Sequence, residues 1–385
     1  MNVQQLLHQF KKTRDYSVAI CATLAIEDYI SQPVDFASPP KWHLAHTTWF
    51  FEEMILKKYL KDYFVFNENF SFLFNSYYQT IGERAVRYHR GTMTRPLVAE
   101  VYDYRNYVDQ HIIKLLENNI SFDVEQFMIL GIHHEQQHQE LLITDLKHTF
   151  SFNPLNPIYQ KDFNLTEDKN ADEGWLKMSE GIYEIGHNGE GFCFDNELGR
   201  HKVYLHHYEI SKTLVTNGDY ITFMEAQGYE NFNFWLDEGW SWVCENKINA
   251  PLYWQKIDGI WHYYTLSGLK VVDKDAMLCH VSFYEAQAFA TWMGLRLPTE
   301  FEWEAAAEKF NWGKRWEWTY SAYLPYPNFK IAAGAVGEYN GKFMINKMVL
   351  RGSSVATSVG YKRKTYRNFF HPKDRWQYTG IRLAK

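Results

Sequence analysis

VEQFMILGIHHEQQHQELLITDLK, residues 124–147, carries no proline or internal break and reads as one long helix that presents a run of histidines. Upstream of it, three more helices are legible. Residues 3–31 hold apolar positions at helical spacing and stop before Gln32-Pro33. A second helix starts at Pro39-Pro40, since proline suits the first turn, and runs through WHLAHTTWFFEEMILKKYL. A third opens near Pro96 and reaches about Glu117, after an irregular aromatic stretch over 62–92. Four long helices with one long crossover predict a four-helix bundle over residues 1–150.

Beyond it the pattern changes. Residues 151–174, punctuated by Asn153-Pro154 and Asn156-Pro157, read as a linker or crossing segment. From 175 to 385 short strand-like runs (GIYEIGH, KVYLHHYEIS, MVLRGSS) are bounded by Gly, Asn and Asp. Two helices stand among them, SFYEAQAFATWMG and TEFEWEAAAEKF, the second with a capping box from Thr299 to Glu302. The second half is therefore predicted to be α+β.

Composition narrows the function classes. Of 385 residues, 46% are hydrophobic and 18% aromatic, which rules out global disorder. No apolar run approaches the roughly 20 residues that cross a bilayer, and MNVQQLLHQFKK at the N-terminus lacks a signal-peptide core. Four scattered cysteines suit neither a disulfide framework nor a cysteine-based zinc site, so the expected setting is a reducing cytoplasm. A net charge of −6 argues against a nucleic-acid surface.

The chemistry sits in His133-His134-Glu135-Gln136-Gln137-His138-Gln139-Glu140. His134 and His138 are one turn apart and share a face, so two imidazoles can grip one ion. His133 lies about 100° off that face, a neighbour only. Glu140 would complete the two-histidine, one-carboxylate set of non-haem iron enzymes. It lies about 200° around the helix from His138, however, so a structural role is expected. The third ligand must come from another helix, where His43 and His46 both stand within HLAH; spacing does not choose between them. An all-histidine site suits Fe(II), Zn(II) or another divalent ion.

HLAHTTWFFE at 43–52 with HEQQHQE at 134–140 resembles the DinB-like helical domain of the EgtB-like ergothioneine-biosynthesis sulfoxide synthases. VSFYEAQAFATWMGLRLPTEFEWEAAA at 281–307, WEWT at 316–319, LRGSS at 350–354 and TGIRLA at 379–384 resemble the formylglycine-generating-enzyme/sulfatase-modifying-factor fold, itself related to C-type lectins. The resemblance implies a mononuclear non-haem Fe(II) enzyme. Such enzymes join the sulfur of cysteine or γ-glutamylcysteine to C2 of the imidazole of Nα-trimethylhistidine, and oxidise that sulfur to a sulfoxide with O2. It implies His46, His134 and His138 as the iron ligands, with His43 a neighbour.

By the same resemblance Gln137 helps hold the substrate imidazole, and Tyr77 or Tyr78 serves the oxygen chemistry as a proton or hydrogen-bond donor. Arg87 and Arg90 match an Arg-x-x-Arg pair for the cysteine donor, a role that guanidinium groups suit. Asn368 and Phe369 fall where the betaine end of trimethylhistidine is held, an aromatic face being a sound partner for a quaternary ammonium. Phe370 stands where users of γ-glutamylcysteine carry an Asp. This departure favours free cysteine as donor. No cysteine follows Cys279, so the reactive cysteines of formylglycine-generating enzymes are missing and the second domain reads as a substrate-binding scaffold. Rival readings are an ovothiol-type synthase acting on C5 of histidine, and a zinc-dependent thiol transferase or hydrolase of the DinB superfamily.

Overall fold

Pro40 fixes the start of the most deeply buried helix. The computed structural model describes residues 2–76, 82, 85–118, 120–163, 165–332 and 340–385. Within them, helix α1 is Val3–Cys21 and α2 is Pro40–Phe51, with Pro40 in its first turn. α3 is Val98–Leu116 and α4 is Phe122–Ser151. Every residue of α2 is buried, as expected of a helix apolar on nearly all sides. The exception proves instructive: the Lys41 ammonium is satisfied by the carbonyls of Met93 (2.6 Å) and Pro96 (2.9 Å).

α1 packs on α4, and α2 lies against both α3 and α4. Gly131 permits that closeness, since a Cβ there would stand 2.6 Å from the Phe51 ring. α1 ends ten residues short of the expected 31. The Asp28 carboxylate takes the Ala25 N–H at 2.9 Å and opens a separate 3-10 turn, Ile26–Tyr29, a local bond that competes with the helix ladder. α2 continues through a π turn, Glu52–Leu56, and Glu52 accepts the hydroxyls of Tyr63 and Tyr104 at 2.6 Å each.

The chain divides into two units: Met1–Gln160 with Ala356–Tyr361, and Lys161–Val355 with Lys362–Lys385. The stretch read as a linker is thus shared, its first ten residues folding with the helices. Tyr159 there donates to the Ile20 carbonyl at 2.7 Å.

The second unit holds twelve strands among the described residues. β1 (Trp175–Met178), β4 (Tyr208–Leu214) and β12 (Arg382–Ala384) form one sheet, in the order β1-β4-β12. β2 (Gly181–Ile185) and β3 (His201–Leu205) form a hairpin, and β5 (Trp254–Ile257), β6 (Ile260–Thr265) and β7 (Gly268–Val271) a three-stranded meander. β8 (Trp316–Ala322), β9 (Met348–Gly352), β10 (Asn368–Phe370) and β11 (Thr379–Gly380) make the fourth sheet, in the order β10-β9-β8-β11. Helices Phe283–Trp292 and Glu300–Ala306 pack alongside, the latter with the expected Thr299–Glu302 capping box.

The motif glutamates of this unit find arginine partners. Glu300 pairs with Arg367 (2.8 Å), Glu302 with Arg296 (2.8 Å) and Glu304 with Arg351. Glu317 of the WEWT motif accepts two bonds from Arg382 and one from the Trp303 indole N–H. These motifs therefore specify packing. Among the described residues no helix is long and apolar enough to cross a membrane.

Candidate metal centre

His46, His134 and His138 come together. One ring nitrogen from each lies within 4.8 Å of the others. His46 rides on α2; His134 and His138 face it from successive turns of α4. Ring centroids are 5.0 Å (His46–His134), 4.7 Å (His46–His138) and 4.6 Å (His134–His138) apart. Glu140 is not in the group. It accepts the Thr357 hydroxyl at 2.7 Å, from a segment far along the sequence that folds with this unit.

The surroundings hold the rings neutral and oriented. Burial pushes the His134 imidazolium down to about 3, and drives His46 and His138 well below their usual range, with the neighbouring imidazoles adding to the effect. A neutral imidazole is the form that binds a metal. The Nδ1 of His46 is 2.6 Å from the Phe74 carbonyl. A carbonyl only accepts, so Nδ1 carries the proton and Nε2 keeps its lone pair. That Nε2 is buried and finds no hydrogen-bond partner among the described residues. A buried acceptor without a donor costs stability, and a cation at this point would satisfy it. The donor set thus fits a divalent metal. Trp42 stacks on one face of His46 (4.4 Å, 15°) and Trp49 lies nearly parallel at 5.4 Å.

A second buried network lies on the neighbouring face of α4, about 100° around the helix from His134. Glu135 accepts from Arg14 (2.8 Å), Arg105 (3.0 Å) and Ser17 (2.6 Å). Burial alone would raise its carboxyl, but the two guanidinium groups outweigh that and bring it to about 2. This knot ties α1, α3 and α4 together immediately beside His134.

The remaining candidates are dispersed. Arg90 is buried, with its guanidinium 3.4 Å from the Trp42 ring centroid and bonds to the hydroxyls of Ser38 (2.9 Å) and Ser76 (3.2 Å). Arg87 is exposed and donates to the Phe36 carbonyl. Gln137 is half-buried on α4. Tyr77 and Tyr78 lie outside the described residues. Asn368, Phe369 and Phe370 belong to the second unit, on β10. There Phe369 stacks on Tyr323 (4.1 Å, 12°), and Phe370 meets Trp376 edge-on at 5.5 Å.

Asp145 was passed over, and His43 was read only as a neighbour of the ligands. His43 stands 2.9 Å from His138, Nδ1 to Nδ1, and its Nε2 is 3.2 Å from Asp145. Asp145 had a visible signal: it lies seven residues, two turns, beyond His138 and so on the same face.

Residues 9–142 match the family model of the DinB superfamily, and residues 162–315 that of the sulfatase-modifying factor enzyme 1-like domain. The chain is 28% identical over 245 residues to a hercynine oxygenase of Mycolicibacterium thermoresistibile, covering 51% of this chain and 54% of that one. It is 27% identical over 308 residues to the hercynine oxygenase of Mycolicibacterium smegmatis, covering 66% and 70%. A formylglycine-generating enzyme of Streptomyces coelicolor is 30% identical over 159 residues, 38% of this chain and 50% of that one. The alignments thus span about half of the first relative's length and somewhat more of the second's. The chain is EgtB-like, a DinB-superfamily domain followed by a sulfatase-modifying-factor-like domain, with sequence kinship to the hercynine oxygenases.

Proposed function

We propose that this chain is a non-haem Fe(II)- and O2-dependent sulfoxide synthase, joining the sulfur of cysteine to C2 of the imidazole of Nα-trimethylhistidine. One observation carries the reading: three imidazoles, two buried and one half-buried, bring one ring nitrogen each within 4.8 Å of the others in the DinB-type unit of a chain akin to hercynine oxygenases. Forming the C–S bond removes one hydrogen from the thiol and one from C2, and oxidising the sulfur removes two more electrons. O2 takes all four, leaving one oxygen on sulfur and the other in water.

His46, His134 and His138 would hold the ion, which when bound supplies a redox-active centre with positions open to O2, thiolate and substrate imidazole. Bringing the reactants to one place replaces much of a bimolecular barrier. The protein's own part is orientation and exclusion of water. Phe74 fixes the His46 tautomer, and Trp42 and Trp49 flank its ring. Arg90, already committed to Trp42, Ser38 and Ser76, acts as a fixed positive charge near the imidazoles, whereas the exposed Arg87 is the better partner for the donor's carboxylate. Gln137 would hold the substrate imidazole, and Tyr77 or Tyr78 would deliver a proton. Asn368 and Phe369 would bind the betaine end, and Phe370, which offers no carboxylate to an amino group, favours cysteine over γ-glutamylcysteine.

The test is anaerobic purification, loading with Fe(II), and mass spectrometry after adding O2, trimethylhistidine and either thiol. The expected product is the C2-linked cysteine sulfoxide, with O2 uptake. Preferential zinc retention with no O2 uptake would overturn the reading in favour of a zinc-dependent thiol transferase.

A further inference from the structure

We infer that His43 and Asp145 form a relay that sets the tautomer and aim of His138, making His43 a positioning residue of the metal centre. This rests on the proposed ligand trio. The chain of contacts runs from the α2 N-terminus to the ligand. The Ser38 backbone N–H donates to Asp145 Oδ2 at 2.8 Å, and His43 Nε2 lies 3.2 Å from that same oxygen. His43 Nδ1 then lies 2.9 Å from His138 Nδ1.

The directions of these bonds follow from the acceptor at one end. A carboxylate oxygen only accepts, so His43 Nε2 carries a proton. Between the two facing Nδ1 atoms one proton is shared, and a His138 that ligates through Nε2 keeps its own proton on Nδ1, so His138 donates and His43 accepts. That leaves the lone pair of His138 on Nε2. The result matches His46, whose Nδ1 is bound to the Phe74 carbonyl. Two of the three rings are thus held in the same tautomer, one by a backbone carbonyl and one by a side-chain relay. Partners that fix a ligand's other nitrogen typically govern affinity 10–100-fold. Ser38, His43 and Asp145 are buried and His138 is half-buried, so solvent competes little for the bonds.

Two measurements test the relay. In metal-free wild-type chain labelled with 15N-histidine, ring correlation spectra should show His138 protonated on Nδ1 and His43 on Nε2; an Nε2–H tautomer at His138 overturns the proposal. Fe(II) affinity, measured anaerobically by chelator competition, should fall about 10–100-fold in His43→Ala. His43→Asn, which puts a carbonyl oxygen near the place of Nδ1, should recover most of it. Asp145→Asn should lose less than Asp145→Leu, because one amide oxygen can still accept from both Ser38 and His43. Unchanged affinity in His43→Ala, or equal loss in His43→Ala and His43→Asn, overturns the relay while the trio stands. Wild-type chain that takes up no divalent metal overturns the trio and the relay together. A variant that fails to fold leaves the wild-type spectrum to decide.

Discussion

The two units treat buried polar groups in opposite ways. In the second, buried guanidinium and carboxylate groups meet one to one: Arg367 with Glu300, Arg351 with Glu304, Arg382 with Glu317. Among the described residues of the helical unit such a knot joins Arg14 and Arg105 to Glu135, with Asp109 also on Arg14. Beside it stand three imidazoles that converge on one another, and His46 Nε2 has no donor among the described residues. Paired charges settle a fold. Converging acceptors raise its energy unless a cation joins them. The contrast separates a unit whose motif charges serve architecture from one that gathers three imidazoles at a candidate metal centre.

The sharpest way to break this contrast is to remove the acceptors. His134→Ala or His138→Ala should reduce bound Fe(II) from about one ion per chain to background, since two remaining imidazoles fall short of the three protein ligands of an open site. The metal-free variants should still unfold cooperatively, since the Arg14–Arg105–Glu135 knot and the helix ladders are untouched. Elemental analysis and thermal unfolding of the same samples check both halves. Full metal content in either variant refutes the ligand set.

Removing a knot carboxylate should do the reverse. Glu135→Ala leaves Arg105 without its ion-pair partner and Arg14 with Asp109 alone, and should cost about 3–5 kcal/mol. Glu317→Ala should cost a similar amount by stranding Arg382. Hydrogen exchange read peptide by peptide locates each loss. The first should loosen α1, α3 and α4, and the second β8 and β12. If either loss spread evenly through both units, their independence as polar systems would fail.

Some of this was legible in the sequence and some was not. Helical spacing and the prolines gave α2, α3 and α4, because those signals are local. The end of α1 was not legible, since it depends on which acceptor Asp28 replaces. His134 and His138 were legible from a one-turn spacing, but the choice of His46 over His43 needed the resemblance, because both lie on α2 within one turn. Asp145 was legible in principle at two turns from His138. The Glu–Arg pairs could not be read, since Glu317 and Arg382 are separated by 65 residues. Nor could the return of 356–361 to the helical unit, which no local pattern announces.

A smaller effect probes the packing under the histidines. Gly131 lies one turn before Glu135 and touches Phe51. Gly131→Ala gains helix propensity but forces a methyl group into the ring, for a net cost of about 1–3 kcal/mol. Denaturant unfolding measures it. A stabilised Gly131→Ala would show that α2 and α4 can separate without harm.

The smallest expected effect decides the place of Glu140. Its carboxylate takes the Thr357 hydroxyl, while the neighbouring Gln139 side-chain oxygen takes that of Ser358 at 2.6 Å. Both contacts tie 356–361 to a side of α4 away from the ligand rings. Thr357→Val removes one donor and keeps the shape, so it should cost about 0.5–1.5 kcal/mol and speed exchange in 356–361. Fe(II) affinity should not change, because Glu140 points about 200° around the helix from His138. A tenfold fall in affinity would mean that the carboxylate reaches the ion's surroundings, and the helical-angle argument against it would be wrong.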